Sequence, residues 1–140
     1  MARKLQSDRR GPDKATSVVV LLHGYGADGA DLLGLADPLS PHLPGTAFYA
    51  PDAAERCVNN PMGYQWFPIP WLDGSTEDQA RASMGRSIED VNAFLDDVLQ
   101  REGLLEQIDH ANVPNLKNIA PGFLNAAYDP GNRYSVPYQY

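Results

Sequence analysis

Apolar side chains along this chain follow two different periods, and each period predicts a different kind of element. Residues 17–22, a serine followed by a continuous run of valine and leucine, are typical of a strand that is buried on both faces, as in a parallel sheet. Residues 47–50 predict a second, shorter strand, which ends at a Pro-Asp turn. Residues 77–102 predict a long helix, because large apolar residues recur there at spacings of three and four. These residues are Met84, Ile88, Val91, Leu95 and Val98.

The order of the elements indicates the class of fold. A short helix is predicted over 30–36, between the two strands, and a long aromatic and proline-rich loop over 53–74. Ser75 and Asp78 have the spacing of a capping box at the start of the long helix, and Gly103 is a natural stop. Strand, helix, strand and helix in this order predict an α/β fold with parallel strands and right-handed crossover helices.

Changes in composition divide the chain into three parts. Residues 1–16 are polar and charged, and we expect them to be a flexible lead-in. Residues 17–104 carry the predicted α/β domain. Residues 105–140 form an irregular tail in which turn formers separate short apolar pieces. Within this tail, residues 134–138 predict a short strand, which Pro137 confines to the edge of a sheet.

Length, charge and cysteine content exclude several classes of function. The chain has 140 residues, about one domain, and a net charge of −7, which argues against nucleic acid as a partner. With Cys57 as the single cysteine there is no intrachain disulfide, and we expect it to be a small apolar filler. The amino terminus lacks the apolar region of a signal peptide, and the run at 17–22 is too short to span a bilayer. We therefore expect a cytoplasmic protein without a membrane span.

The candidate chemistry lies in the glycine-rich segment that follows the first strand. The segment reads Leu-His-Gly-Tyr-Gly-Ala-Asp-Gly-Ala-Asp over residues 22–31. A turn flanked by Gly24 and Gly26 at the carboxyl end of a strand can aim backbone amides at developing negative charge. The alternative interpretation is that the glycines only permit a tight turn. Asp28 and Asp31 are best explained as residues that favour the start of a helix, not as metal ligands.

This segment, together with three others, resembles the phospholipase/carboxylesterase family, which includes acyl-protein thioesterase-like α/β-hydrolases. The resemblance covers residues 17–104 and rests on 22–31, on Tyr-Ala-Pro-Asp at 49–52, on Gln-Trp-Phe at 65–67 and on the long helix. It implies a partial α/β-hydrolase fold, matching the N-terminal half of such an enzyme. The implied reaction of a complete enzyme is hydrolysis of a small ester or thioester through an acyl-serine, with no cofactor or metal.

The resemblance also implies roles for individual residues. The backbone N–H of Tyr25 would belong to the oxyanion hole, in a turn supported by His23, Gly24 and Gly26. Trp66 and Phe67 would lie near the acyl-binding site, or else they pack in the loop against the sheet.

The catalytic triad of such an enzyme is not identifiable. No G-x-S-x-G occurs in the 140 residues, although an α/β-hydrolase needs this nucleophile elbow. Ser83 is followed by Met-Gly, but Arg81 stands where the first glycine belongs, and the serine falls inside the predicted long helix. We therefore expect the chain to be catalytically incomplete and to lack the neighbouring elbow strand. The exposed strand edge would then be covered by residues 134–136 of the tail or would cause self-association.

The tail resembles a different family, the periplasmic spermidine/putrescine-binding proteins. Asp109 and His110, within the matching segments, are best explained as turn and surface residues. Two resemblances that meet near residues 103–104 indicate a chimera. Two alternatives to the hydrolase hypothesis therefore remain: polyamine binding through the tail, and a chimera that is non-functional or serves only as an interaction module. The matching tail segments are 103–106, 108–110, 114–118, 123–125, 129–132 and 134–138.

Overall fold

A computed structural model describes residues 1–125 and 129–134 of the chain. The strands are β1 (Ser7–Arg10), β2 (Ser17–Val20), β3 (Thr46–Pro51), β4 (Glu55–Arg56) and β5 (Tyr64–Gln65). The α-helices are α1 (Gly29–Leu33), α2 (Ala36–Leu39), α3 (Pro70–Asp73) and α4 (Glu77–Arg101). Short 3-10 helices follow at His110–Asn112, Pro114–Asn118 and Pro121–Phe123.

Strand β3 is the centre of the fold. It lies between β1 and β2 in a sheet of order β1-β3-β2, and every one of its residues is buried. Ala47 and Tyr49 belong to a core cluster with Phe94 and Val98 of α4, whereas Phe48 packs in a second cluster with α1 and α2. The alternation of side chains along a strand therefore places helices on both faces of the sheet. This arrangement agrees with the predicted α/β class.

Strand β1 differs from the flexible lead-in expected for residues 1–16. It pairs antiparallel with β3, with Ser7 opposite Pro51, so the sheet is mixed and not wholly parallel. Leu5 is buried in the core cluster beneath α4. Arg3 donates from its backbone and side-chain nitrogens to the carboxylate of Asp90 in α4. The segment is polar in sequence, but Arg3 and Arg9 form ion pairs with Asp90 and Glu102, far along the chain.

Strand β2 is an edge strand and is only half buried, although the run at 17–22 predicted burial on both faces. It pairs in parallel with β3, with Val19 opposite Phe48, and the described residues place no strand on its other side. The strand is apolar because each of its faces meets a core cluster, through Val18 and Val20 on one side and Val19 and Leu21 on the other.

The long helix forms as predicted, but only part of the predicted apolar face is buried: Val98 is buried and Val91 packs against the core. Met84 and Ile88 are 41% and 56% exposed. The other buried positions include small and polar residues that the apolar periodicity does not select, and Ser83, Ser87 and Asp90 form side-chain hydrogen bonds there. The residues of α4 that are buried are Ala80, Ser83, Ser87, Asp90, Phe94 and Val98.

The start of α4 is also shifted from its prediction. Thr76, not Ser75, is the N-cap, and the Thr76 hydroxyl accepts a hydrogen bond from the N–H of Gln79. In return, the side-chain oxygen of Gln79 accepts a hydrogen bond from the N–H of Thr76, which completes a capping box. The motif is displaced by one residue because a glutamine can fill the role that the sequence assigned to Asp78.

The loop expected over residues 53–74 contains the β4–β5 ladder and α3.

In the tail, the described residues form 3-10 turns. Asp109 caps one of them, because its carboxylate accepts from the N–H of Ala111. His110 Nε2 lies 2.7 Å from the carbonyl oxygen of Asn132. The predicted strand at 134–138 lies outside the described residues, except for Tyr134.

Candidate functional site

The glycine-rich turn after β2 is held by the β4–β5 loop. Gly26 has φ of 81°, in the left-handed region that favours glycine. Its N–H donates to the carbonyl oxygen of Tyr64 at 2.8 Å, and Tyr64 N–H donates to the carbonyl oxygen of Ala27 at 2.8 Å. The side-chain amide of Asn60 donates to the Gly26 carbonyl at 2.8 Å. The conformation of the turn is therefore fixed by hydrogen bonds to the β4–β5 segment as well as by its own glycines.

Gly63 explains why the two segments lie so close together. A Cβ placed on Gly63 would lie 2.0 Å from the carbonyl oxygen of Gly26, well inside van der Waals contact. Gly24 is different, because a Cβ there would meet no atom within 4 Å. The turn thus packs against the loop on the Gly63 side and faces open space at Gly24.

The backbone N–H of Tyr25 has no acceptor among residues 1–125 and 129–134, unlike those of Gly26 and Ala27. The Tyr25 side chain is anchored separately: its hydroxyl donates to Asp73 Oδ2 at 2.8 Å. Burial raises the pKa of this hydroxyl, and the neighbouring Cys57 and Asp73 raise it further. Within the described residues, the Tyr25 N–H is therefore unpaired while its side chain is held by Asp73.

His23 is buried, and both of its ring nitrogens are used. Nε2 accepts from the N–H of Ala53 at 3.0 Å, and Nδ1 lies 2.8 Å from the carbonyl oxygen of Gly24. Because an N–H can only donate and a carbonyl can only accept, this pairing assigns the ring proton to Nδ1. The imidazole also stacks on Trp66, with ring centroids 5.2 Å apart. His23 therefore buttresses the turn in this arrangement and leaves no nitrogen available as a base.

Trp66 and Phe67 line an uncharged groove of about 370 Å³ beside the turn. Trp66 Nε1 donates to the carbonyl oxygen of His23 at 2.9 Å, which ties the groove to the turn. Phe67 is 37% exposed. The remaining lining comes from Leu22 and from α4, through Met84, Ser87, Ile88, Val91 and Asn92.

Ser83 lies in α4, and its hydroxyl contacts a carboxylate and not a histidine. Its Oγ is 2.7 Å from both carboxylate oxygens of Glu55. Arg86 Nη2 donates to Glu55 Oε1 and to the Ser83 Oγ. Burial alone would favour protonation of Glu55, but the hydrogen bonds from Ser83, Arg86 and Arg3 hold its pKa below the usual range. Glu55 is therefore the anionic centre of a structural network.

Asp73 is the supporting residue that the sequence analysis did not select. Its carboxylate accepts from the Tyr25 hydroxyl and from the backbone N–H groups of Ile69 and Ser75. Desolvation opposes ionisation, but the hydrogen bonds from Ser75, Ile69 and Tyr25 prevail and lower the pKa of Asp73 to about 2. In sequence, Asp73 looks like any acidic residue of a loop, because its partner Tyr25 is 48 positions away.

Across the described ranges, no group of three or more His, Cys, Asp or Glu residues could hold a metal ion.

Comparison with known proteins places this geometry in a family. The sequence model of the phospholipase/carboxylesterase family matches residues 9–119, so the chain belongs to that family and has an α/β-hydrolase-type fold. The solved structure of esterase PE8 is similar, with a TM-score of 0.63 and 38% identity. That match covers 72% of this chain but 47% of the esterase, so the chain spans about half of its length. The family match starts within β1 and runs past residues 103–104.

Short segments of polyamine-binding proteins are also similar to this chain. Spermidine/putrescine-binding periplasmic protein 1 of Haemophilus influenzae is 49% identical over 39 residues, which cover 28% of this chain and 11% of that protein. The putrescine/cadaverine-binding protein of Pseudomonas aeruginosa is 39% identical over 75 residues, or 50% of this chain and 21% of that protein. Both predicted resemblances are confirmed. The second match covers half of this chain, more than the tail 105–140 contains. Where the structure describes the chain, no helix is long and apolar enough to cross a membrane.

Proposed function

We propose that this chain is the oxyanion-binding and acyl-binding half of a carboxylic-ester or thioester hydrolase. The observation that carries the proposal is the Tyr25 N–H, which has no acceptor in the described structure although the residues around it are fixed by hydrogen bonds. His23, Gly24 and Gly26 would shape this turn, and Trp66 and Phe67 would contact the acyl chain. The division into a partial hydrolase domain at 17–104 and a tail at 105–140, joined as a chimera, belongs to the same proposal.

The proposed half site is catalytically incomplete on its own. The 140 residues contain no G-x-S-x-G segment, and the two partners of a nucleophilic serine cannot be assigned. The contacts of Ser83 support this view, because its hydroxyl contacts Glu55 and Arg86 and not a histidine. His23 is not available as its base, since both ring nitrogens have other partners. Without an activated serine no acyl-enzyme forms, whatever the quality of the oxyanion turn.

The first experiment is the intact mass of the chain after treatment with a fluorophosphonate probe. We expect no adduct, in the native sample and in a heat-treated control alike. A stoichiometric adduct that disappears on heating would contradict the proposal, since it requires an activated serine. Ser83→Ala would then show whether that serine is the one in α4.

The oxyanion and acyl halves of the proposal are tested by amide NMR with octanoate, whose carboxylate and alkyl chain imitate the two ends of an acyl group. We expect the amide of Tyr25 and the indole N–H of Trp66 to shift, while the amide of Gly26, which is already bonded, stays in place. Acetate is the matched control, because it carries the charge without the chain. A Tyr25 amide that does not move at millimolar octanoate would refute the binding role.

Polyamine binding is the second candidate, and the similarity to the spermidine/putrescine-binding and putrescine/cadaverine-binding proteins favours it. The net charge of −7 is compatible with a cationic ligand. The chain spans only about a tenth to a fifth of those proteins. Calorimetric titration with spermidine decides the matter: absence of heat at millimolar ligand would eliminate this candidate.

A further inference from the structure

Helix α4 places a buried serine hydroxyl against the segment that carries the aromatic pair. Ser87 is buried, and its hydroxyl donates to the carbonyl oxygen of Trp66. Trp66 follows the last residue of β5, so its carbonyl lies beyond the β4–β5 ladder, which ends with Gln65 opposite Glu55. A serine inside a helix commonly points to solvent or bonds to the carbonyl four residues earlier. This hydroxyl instead holds a carbonyl of another segment, 21 positions away.

Trp66 carries this contact on to the glycine-rich turn. Its indole Nε1 donates to the carbonyl oxygen of His23 at 2.9 Å, and its ring stacks on the His23 imidazole. The position of the Trp66 backbone therefore determines where the indole meets His23. The hydrogen bond from Ser87 to the Trp66 carbonyl fixes the backbone from which both of these contacts start.

The orientation of the Tyr25 N–H follows from the peptide that joins it to Gly24. This peptide is trans, so its C=O and N–H groups point in opposite directions. The Gly24 carbonyl oxygen lies 2.8 Å from His23 Nδ1 and accepts from the N–H of Ala27 at 3.2 Å. Because two donors hold this carbonyl, the N–H of the same peptide is aimed to the other side. Displacement of His23 therefore changes the direction of the Tyr25 N–H.

We propose that Ser87 is a positioning residue for the oxyanion donor. It acts through Trp66, which holds His23, and His23 in turn holds the Gly24 carbonyl. The inference rests on the proposed function, because it gives Ser87 a role in the oxyanion site described there. The coupling between helix and turn is carried by hydrogen bonds and one ring stack that follow one another without a gap.

Packing alone does not require a serine at this position of α4. Alanine fills a similar volume and has the higher helix propensity, but it leaves the Trp66 carbonyl without this donor. A carbonyl that loses its donor turns towards water, and the groove that Trp66 lines admits water. The backbone of Trp66 would then rotate, and the indole would move away from His23.

The test compares Ser87→Ala with Ser83→Ala in the full chain, by NMR of the free protein. Ser83 is the matched control, because it lies one turn earlier in α4, is also buried and also donates a hydroxyl hydrogen bond, to Glu55. Its loss leaves Glu55 with two arginine partners. Each variant loses one buried hydroxyl, so we expect similar losses of stability in urea unfolding. A difference between the variants at the turn then reports positioning and not stability.

Two signals of the free protein report on the contacts in question. Hydrogen exchange at the Trp66 indole N–H should be about fivefold faster in Ser87→Ala, because its bond to His23 opens more often. The Tyr25 amide resonance should shift in the same variant, since its peptide changes direction. Both signals should keep their wild-type values in Ser83→Ala. Absence of either change in Ser87→Ala, or equal changes in Ser83→Ala, would overturn the proposal.

Octanoate then connects these contacts with the oxyanion site. At equal saturation of the protein, the shift that octanoate causes at the Tyr25 amide should be smaller in Ser87→Ala than in wild type, and unchanged in Ser83→Ala. An octanoate shift that is the same in all three proteins would also contradict the positioning role. A wild-type Tyr25 amide that octanoate does not move refutes the proposed function instead, and the two signals of the free protein still decide whether Ser87 positions the turn.

Discussion

The contact between the amino-terminal segment and α4 offers the sharpest test of the packing. Asp90 is 2% exposed in α4, and its carboxylate accepts from the Arg3 backbone N–H at 2.6 Å and from Arg3 Nε at 2.9 Å. Arg3 Nη2 lies 2.7 Å from the same carboxylate. Asp90→Ala removes all of these contacts at once and leaves the guanidinium without its buried partner.

The size of the effect follows from burial on the two sides of the pair. Removal of one partner of a buried ion pair costs about 3–5 kcal/mol. The Arg3 side chain is 34% exposed and can return to water, so we expect a loss of about 2–3 kcal/mol. For a chain of this size, that loss lowers Tm by roughly 6–12 °C.

The assay is urea unfolding followed by tryptophan fluorescence, at one fixed protein concentration because association would add to apparent stability. The matched control is Asp97→Ala in the same helix, whose partner Arg101 is 53% exposed and which is itself 58% exposed. We expect the control to cost less than about 0.5 kcal/mol. If Asp90→Ala cost no more than the control, with an unchanged m-value, the contact would not hold the amino-terminal segment and the argument would fail.

Two further predictions concern the glycine turn and its acidic support. Gly63→Ala should cost more than about 2 kcal/mol in urea unfolding, because the new Cβ would meet the backbone of Gly26, whereas Gly85→Ala, with open space in α4, should gain about 0.5–1 kcal/mol. Equal effects of these two substitutions would contradict the close packing of the turn. The folded-state pKa of Asp73 is about 2, below its ordinary value of 3.8, so its stabilising contribution is complete above about pH 4 and is lost as the pH falls towards 2. Asp73→Asn should reduce the loss of stability over that window, and an unchanged acid transition would disprove the assignment.

The pattern of apolar and polar residues predicted the strands and helices well where an element depends on residues close to it in sequence. The run at 17–22, the buried strand that became β3 and the long helix ending before Gly103 all depend on near neighbours. Asp28 at the start of α1 is a further example, since its carboxylate accepts from the N–H of Asp31, three residues away. The glycine-rich turn and the aromatic pair were also readable, because their residue types are unusual in that order.

The sequence by itself determined the α/β class, the family and the segment that forms the turn after β2. Only the tertiary structure decided that residues 7–10 form a strand, that α4 buries polar residues such as Ser83 and Asp90 and leaves Met84 and Ile88 exposed, and that Asp73 supports Tyr25. In each case the deciding partner is distant along the chain: Arg3 and Asp90 are 87 positions apart. A polar group is buried when another element satisfies its hydrogen bonds, and a large apolar group is left exposed when no element covers it. Neither condition is visible in the period of the sequence, because both depend on where the other elements lie.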